Sequence, residues 1–295
     1  MKVFKKIKNF SELVAFEHTV FSGAFILIAM VVASMEINKS VWFGFDTLVL
    51  CALALVSARN FAMGFNRYCD RDIDIKNSRT NKRPSVDGRI SPLAMLLFCI
   101  INAIIFVLTS YFINNLAFYL SVPFLIVLGG YSYMKRFSYL AHLILGISLG
   151  LAPIAGVIAV EGWIPLWSVF LCVGVIFWVA GFDLLYSLQD IEFDREEKLY
   201  SIPSAFGERK TLIISRIFHF IAVIFWALFV YFSQGWFFSY IGLLISMTML
   251  IYEQYLVSLD FRNIPKAFFV TNGYLGFIFF IFILIDGFAR MFYGI

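Results

Sequence analysis

The chain has 295 residues, 61% of them hydrophobic and only 14% charged. That balance excludes a soluble globular protein, and a net charge of +4 on so apolar a chain gives no footing for nucleic-acid binding. Cys51, Cys69, Cys99 and Cys172 are dispersed without a C-x-x-C pair, which argues against structural zinc, haem attachment and a disulfide framework.

In chain order, Met1 to Phe10 is a basic amphipathic lead-in with no small-residue cleavage pattern after it, so it is expected to stay on the protein. Apolar windows of roughly twenty residues, enough to cross a bilayer, then recur near 19–35, 42–63, 92–112, 115–134, 139–160, 163–186, 211–232, 236–256 and 267–285. The expected fold is all-α: a polytopic membrane protein with nine transmembrane helices in one bundle and a single domain over residues 1–295. Ser91-Pro92 and Ile202-Pro203 mark places where helix stops or restarts.

Charge placement sets the expected orientation. With the amino terminus inside, nineteen of the 23 Lys and Arg fall in inner segments, against Lys39 and Arg290 outside; Arg59 and Arg216 fall within or near helices. The positive-inside rule therefore places the amino terminus and the long loops, near 64–91 and 187–210, in the cytoplasm, with the chain integral to the plasma membrane.

Each long loop begins with an acidic cluster, Asn66-Arg-Tyr-Cys-Asp70-Arg-Asp72-Ile-Asp74 and Asp183-Leu-Leu-Tyr186-Ser-Leu-Gln-Asp190-Ile-Glu-Phe-Asp194. On a helix, Asn66, Asp70 and Asp74 step by about 40° each at roughly 100° per residue. Asp183, Tyr186, Asp190 and Asp194 likewise fall in a narrow arc, while Asp72 points away. Asp70 and Asp190, and Asp74 and Asp194, lie 120 residues apart. This spacing suggests two related four-helix halves, about 19–134 and 139–256, plus a ninth helix. Such a bundle turns both clusters toward one another over a central cavity with an Asp-rich mouth.

Facing carboxylates repel, and beside a membrane they need a positive partner. Hard divalent cations prefer oxygen ligands, and Mg²⁺ typically combines one or two carboxylates with substrate phosphates. The pattern therefore points to a metal-bound diphosphate, with Arg67, Arg79, Lys82, Arg83, Lys135 and Lys198 as candidate phosphate partners. A solvated helix end is the ordinary reading of one such cluster; two of the same design are harder to dismiss. A calcium loop starting at Asp70-x-Asp72-x-Asp74 fails at Ile75, where Gly is needed, and at Asn81, where Glu is needed. The Gly-containing spacing expected of a CDP-alcohol phosphotransferase is also missing. A transporter or channel using intramembrane acids is the rival class; Gly129-Gly130 and Pro153 would be its helix breaks.

Asn66-x-x-x-Asp70-x-x-x-Asp74 followed by Arg79-Thr80-Asn81-Lys82-Arg83-Pro84 resembles the first signature of the UbiA superfamily of membrane prenyltransferases. Asp183-x-x-Tyr186-x-x-x-Asp190-x-x-x-Asp194 followed by Lys198 resembles the second, and Phe16-Glu17-His18-Thr19 and Tyr131-Ser132-Tyr133-x-Lys135-Arg136 also fit. The resemblance implies a nine-helix bundle in which Asn66, Asp70, Asp74, Asp190 and Asp194 bind Mg²⁺–diphosphate, with Lys135 and Arg79 assisting. Arg67 stands where many members carry a second acid, and this allows Arg67 to touch phosphate directly. The Phe-Glu-His-Thr opening and the second signature resemble quinone-pathway members. Those members transfer a polyprenyl group from its diphosphate to 4-hydroxybenzoate or to a hydroxynaphthoate on a menaquinone route.

For that reaction Tyr131, Tyr133 and Tyr186 are the aromatic side chains nearest the motifs. Asp183, deeper than Asp190 on the same face, is expected to orient the acceptor or take its proton. Arg59 is a candidate partner for an acceptor carboxylate, or else a structural partner of Asp183. His18, His142 and His219 show no ligand spacing and read as interfacial or packing residues. Asp46, Glu253 and Asp286 read as helix-end acids that snorkel to water.

Overall fold

Long apolar runs, interrupted only by short polar segments, fold as helices because lipid leaves no partner for an unpaired backbone group. The protein, seen in a computed structural model, is described over residues 2–14 and 19–294, with side chains from 8–14, 23–268 and 270–294. Phe16, Glu17 and His18 lie outside the described residues. An amphipathic helix α1 (Lys2–Leu13) leads into α2 (Thr19–Asn38), α3 (Phe45–Cys69), a single turn α4 (Arg71–Asp74), α5 (Pro92–Ile113) and α6 (Asn115–Gly130). There follow α7 (Ala141–Glu161), α8 (Leu166–Ser187), the short α9 (Ile191–Glu196), α10 (Ile202–Phe232), α11 (Phe237–Leu259), the one-turn α12 (Ile264–Lys266) and α13 (Asn272–Tyr293). Among the described residues, eight helices are long and apolar enough to cross a membrane, and the apolar Gly23–Asn38 stretch of α2 makes a shorter ninth.

The caps fall where the sequence places its polar punctuation. Ser91 accepts from the Ala94 N–H ahead of Pro92 and starts α5. Asn114 alone joins α5 to α6: its side-chain Oδ1 accepts from Ala117 N–H at 2.9 Å and its Nδ2 donates to the Ile158 carbonyl at 2.7 Å. Ser201 and Ser204 form a capping box at the start of α10. Gly207, at φ 76°, then interrupts α10, so residues 202–206 form a separate arm before the apolar span expected from 211. Pro153 lies inside an unbroken α7, so the helix break required by a transporter is absent there.

The core is aromatic and one-sided. Phe25, Trp178, Trp226, Phe229 and Phe279 from α2, α8, α10 and α13 fill one half of the bundle, with Phe25 4.9 Å from Trp178 and 5.5 Å from Trp226 between ring centroids. Small residues let these helices approach, as membrane packing requires. A side chain at Gly146 of α7 would collide with the Ile176 carbonyl of α8, and one at Gly181 with the His219 ring. His219 is a packing residue, as expected, 3.0 Å from the Gln254 amide.

Two acids depart from the snorkelling expectation. Glu253 is only 1% exposed and accepts at 2.8 Å from Asn272, which accepts in turn from Trp178. Asp286 is 2% exposed and accepts from the Trp236 and Ser239 N–H groups at the start of α11. Protein donors replace water at both oxygens of Asp286 and at one oxygen of Glu253, whose Oε2 is buried without a hydrogen bond.

Close packing at Gly146 sets a stability test. Gly146→Ala is expected to cost about 1–3 kcal/mol by overpacking. Gly130→Ala, whose added carbon meets open space, should be neutral or stabilising by up to about 1 kcal/mol. Thermal unfolding of both variants in one detergent checks this; equal midpoints would contradict the packing assignment.

Candidate active site

The two acidic clusters share one backbone device. α3 ends at Cys69, and Asp70 follows at φ −90°, ψ 7° before α4 begins. α8 ends at Ser187, and Asp190 sits at φ −111°, ψ 9° before α9. Each central aspartate thus occupies the bridge region between two helical pieces. This corrects the expectation of one continuous helical face: the polypeptide turns at each middle acid, and Asp74 and Asp194 stand on short separate helices.

The loop after α4 brings the clusters together. Asn77 donates to Asp190 Oδ1 at 3.1 Å. Arg79 donates to the same oxygen through Nε at 3.0 Å and to Oδ2 through Nη2, a two-point grip on the carboxylate. Its third donor reaches the Tyr186 hydroxyl at 2.8 Å. Lys76 pairs with Glu197 at 2.5 Å, and the Tyr200 N–H donates to the Lys135 carbonyl at 2.7 Å. Three loops therefore close on one another at this end of the bundle.

The remaining acids are also matched with donors. Asp70, 3% exposed, takes Lys135 at 2.7 Å and the Asn66 amide at 3.0 Å. Burial pushes its carboxyl above the usual range, against the opposing pull of Lys135. Asp74, 4% exposed, takes Arg83 at 2.7 Å, and Asp194 takes the Ser201 hydroxyl at 2.7 Å. Asp72 points outward to Arg136, as its helical position predicts, and that bond lowers its carboxyl below the usual range. Among the described residues no three Asp, Glu, His or Cys side chains converge as a ready-made metal cage. Two buried oxygens nonetheless accept no hydrogen bond: Oδ1 of Asp70 and Oδ2 of Asp74. Hard oxygen donors with spare lone pairs fit a divalent cation that takes its other ligands from phosphate.

The other expected residues divide. Arg67 is within electrostatic reach of Asp70, Asp74 and Tyr131. Tyr186 carries Arg79 over its ring at 5.2 Å and the Phe268 ring at 4.4 Å between centroids. Lys82 is exposed. Lys198 is exposed too, at φ 55°, and no described contact ties it to the acids. Asp183 does not meet Arg59; its Oδ2 lies 2.7 Å from His142 Nδ1. Asn77 and His142 are the site residues that spacing did not pick out. Asn77 had one signal, its place two residues before Arg79. His142 had none, since its partner is 41 residues away.

Beneath the mouth an apolar cavity runs between α3, α5, α6 and α7, with Ile26 of α2 in its wall. Tyr131 and Arg59 line its mouth end; Ile113, Ala117 and Ile158 line the far end. From Tyr131 to Ala117 the wall is about 20 Å long at the helical rise of about 1.5 Å per residue. Ser110, Ser121 and Ser148 also face it, but their hydroxyls donate to their own helices. The expected cavity is thus present and set to one side, because the aromatic core fills the other half.

The sequence and fold match known proteins. The UbiA prenyltransferase family model matches residues 25–284. A 4-hydroxybenzoate octaprenyltransferase from Haemophilus ducreyi is 31% identical over 240 residues, 81% of this chain and 86% of the relative. The apo structure of a UbiA homolog from Aeropyrum pernix K1 superposes with a TM-score of 0.82 at 29% identity, over 92% of this chain and 98% of that one. A UbiA homolog from Archaeoglobus fulgidus bound to GPP and Mg²⁺ has the same fold, with a TM-score of 0.70 at 21% identity, over 96% of this chain and 99% of that one. With its paired acid signatures at the mouth of a helical bundle, the chain belongs to the UbiA prenyltransferase family.

Proposed function

We propose that this protein transfers a polyprenyl group from its diphosphate to a ring carbon of an aromatic acid, 4-hydroxybenzoate or a hydroxynaphthoate, in quinone biosynthesis. The observation that carries the reading is the joining of two distant acid sets by Arg79 and Asn77 over an apolar cavity. The H. ducreyi relative's name supports 4-hydroxybenzoate as the acceptor. Excess basic residues in the loops that bear the acids support a cytoplasmic mouth in the plasma membrane.

In this reading Asn66, Asp70, Asp74, Asp190 and Asp194 hold Mg²⁺ with the diphosphate. The ion, when bound, offsets the negative charge that grows on the leaving diphosphate. Arg79, Lys135 and Arg83 turn from carboxylates toward phosphate oxygens, and Arg67 joins them to complete the charge balance, with Lys198 closing from the loop. The prenyl tail lies in the cavity, whose dryness keeps water from the allylic cation. Tyr131 lines that cavity, whereas Arg79 and Phe268 cover the Tyr186 ring. Tyr131 is therefore the aromatic face for the cation, worth about 0.5–2 kcal/mol, and Tyr186 holds Arg79. Arg59, beside Tyr131 in the cavity wall, receives the acceptor carboxylate.

The decisive assay incubates purified protein with Mg²⁺, geranyl diphosphate and 4-hydroxybenzoate. Diphosphate release coupled to an alkylated ring is expected, with loss of turnover in Asp70→Ala, in Asp190→Ala and on chelation; unchanged turnover in both variants would dispose of the proposal. Arg79 gives a second test. Lysine keeps the charge but not the two-point grip, so Arg79→Lys should lower kcat/KM for the diphosphate about 10- to 100-fold, the equivalent of one charge-assisted bond. Wild-type kinetics in Arg79→Lys would show that the grip is irrelevant.

A further inference from the structure

His142 is 5% exposed, opens the first turn of α7 and reaches across to α8, where its Nδ1 lies 2.7 Å from Asp183 Oδ2. With the carboxylate accepting, the hydrogen is placed on Nδ1, and in the neutral ring form Nε2 then carries the lone pair. That Nε2 is buried and makes no hydrogen bond among the described residues. His219 also leaves its Nε2 without a hydrogen bond, but that ring is packed against Gly181 in the filled half of the bundle; His142 differs in where it stands. Helical spacing places His142 on the stripe that continues through Leu145, Leu149, Ala152 and Gly156, all of which line the cavity. Its partner Asp183 is in electrostatic reach of Tyr131 at the cavity mouth, and His142 itself is in reach of Asp194. The pair therefore stands at the seam between the diphosphate acids and the apolar cavity, where acceptor ring and allylic carbon must meet.

The geometry points to His142 as the base that takes the acceptor's proton, with Asp183 fixing its tautomer. The step rests on the ring-alkylation reading above. The allylic C–O bond breaks and leaves its electron pair on diphosphate. A ring π pair forms the new C–C bond to the allylic carbon. The ring C–H bond at that position then breaks: its pair restores the aromatic ring, and its proton passes to His142 Nε2. Asp183 stabilises the imidazolium, in the manner of an acid that orients a catalytic histidine. The proton-handling role expected of Asp183 thus moves to the side chain it holds, and Asp183 becomes a positioning residue.

The test uses the full-length protein in detergent with acceptor deuterated at the ring carbons beside the hydroxyl. In wild type, ionisation limits turnover and the rates with protium and deuterium are expected to be equal. In His142→Asn, loss of a general base should lower kcat by about 10²-fold or more. Proton loss then becomes limiting, so the deuterated acceptor reacts measurably slower. Asp183→Asn should show the same isotope sensitivity in milder form. A merely structural histidine would lower the rate without any isotope effect, and that result, or an unimpaired His142→Asn, overturns the proposal. Spectra of wild-type protein labelled with ¹⁵N-histidine provide a check that does not depend on folding of a variant. His142 should carry its hydrogen on Nδ1; a hydrogen on Nε2 also overturns it. Failure of the wild type to alkylate any ring would instead strike the reading on which the step rests.

Discussion

Two sets of carboxylates can face each other at the edge of a bilayer only if positive charge stands between them. Here the charge comes from the chain itself. Arg79 leaves the loop of the first set and grips Asp190 of the second, while Lys135 and Arg83 sit on Asp70 and Asp74. Every other property of the site follows from that neutralisation. The loops can close over the mouth and the acids can be buried; in the proposed reading the same cations would reach an anionic headgroup once a metal ion held the carboxylates.

The membrane half of the structure divides in two. One side is filled by Trp178, Trp226 and their aromatic neighbours, held close by glycines at the helix crossings. The other side keeps an apolar cavity whose serines are silenced by bonds to their own helices. Rigidity on one side and emptiness on the other suit a site that must fix its charged groups while it admits a long hydrocarbon.

Much of this was legible in the chain. The apolar windows marked the spans, because a bilayer imposes one length on every helix that crosses it. The repeated acids marked the mouth, because like charges are not placed together without purpose. What escaped were relations between distant residues. The turns at Asp70 and Asp190 are a backbone choice that periodicity alone cannot reveal. Asn77 joins Asp190 across 113 residues, and His142 joins Asp183 across 41, so neither leaves a local trace. Glu253 sits near a helix end and reads as a snorkelling acid, yet Asn272 from the next span holds it inside. The cavity's side was also hidden, since it depends on which helices the tryptophans fill.

The account stands or falls on whether the opposed acids accept an anion only through a bridging metal. The direct measurement is calorimetric binding of a non-reactive prenyl phosphonate analogue to the wild-type protein, with Mg²⁺ and again with chelator. Binding that appears with Mg²⁺ and vanishes without it is the predicted result. Equal affinity in the two titrations would mean that arginine and lysine alone hold the headgroup, and that the carboxylates serve some other end.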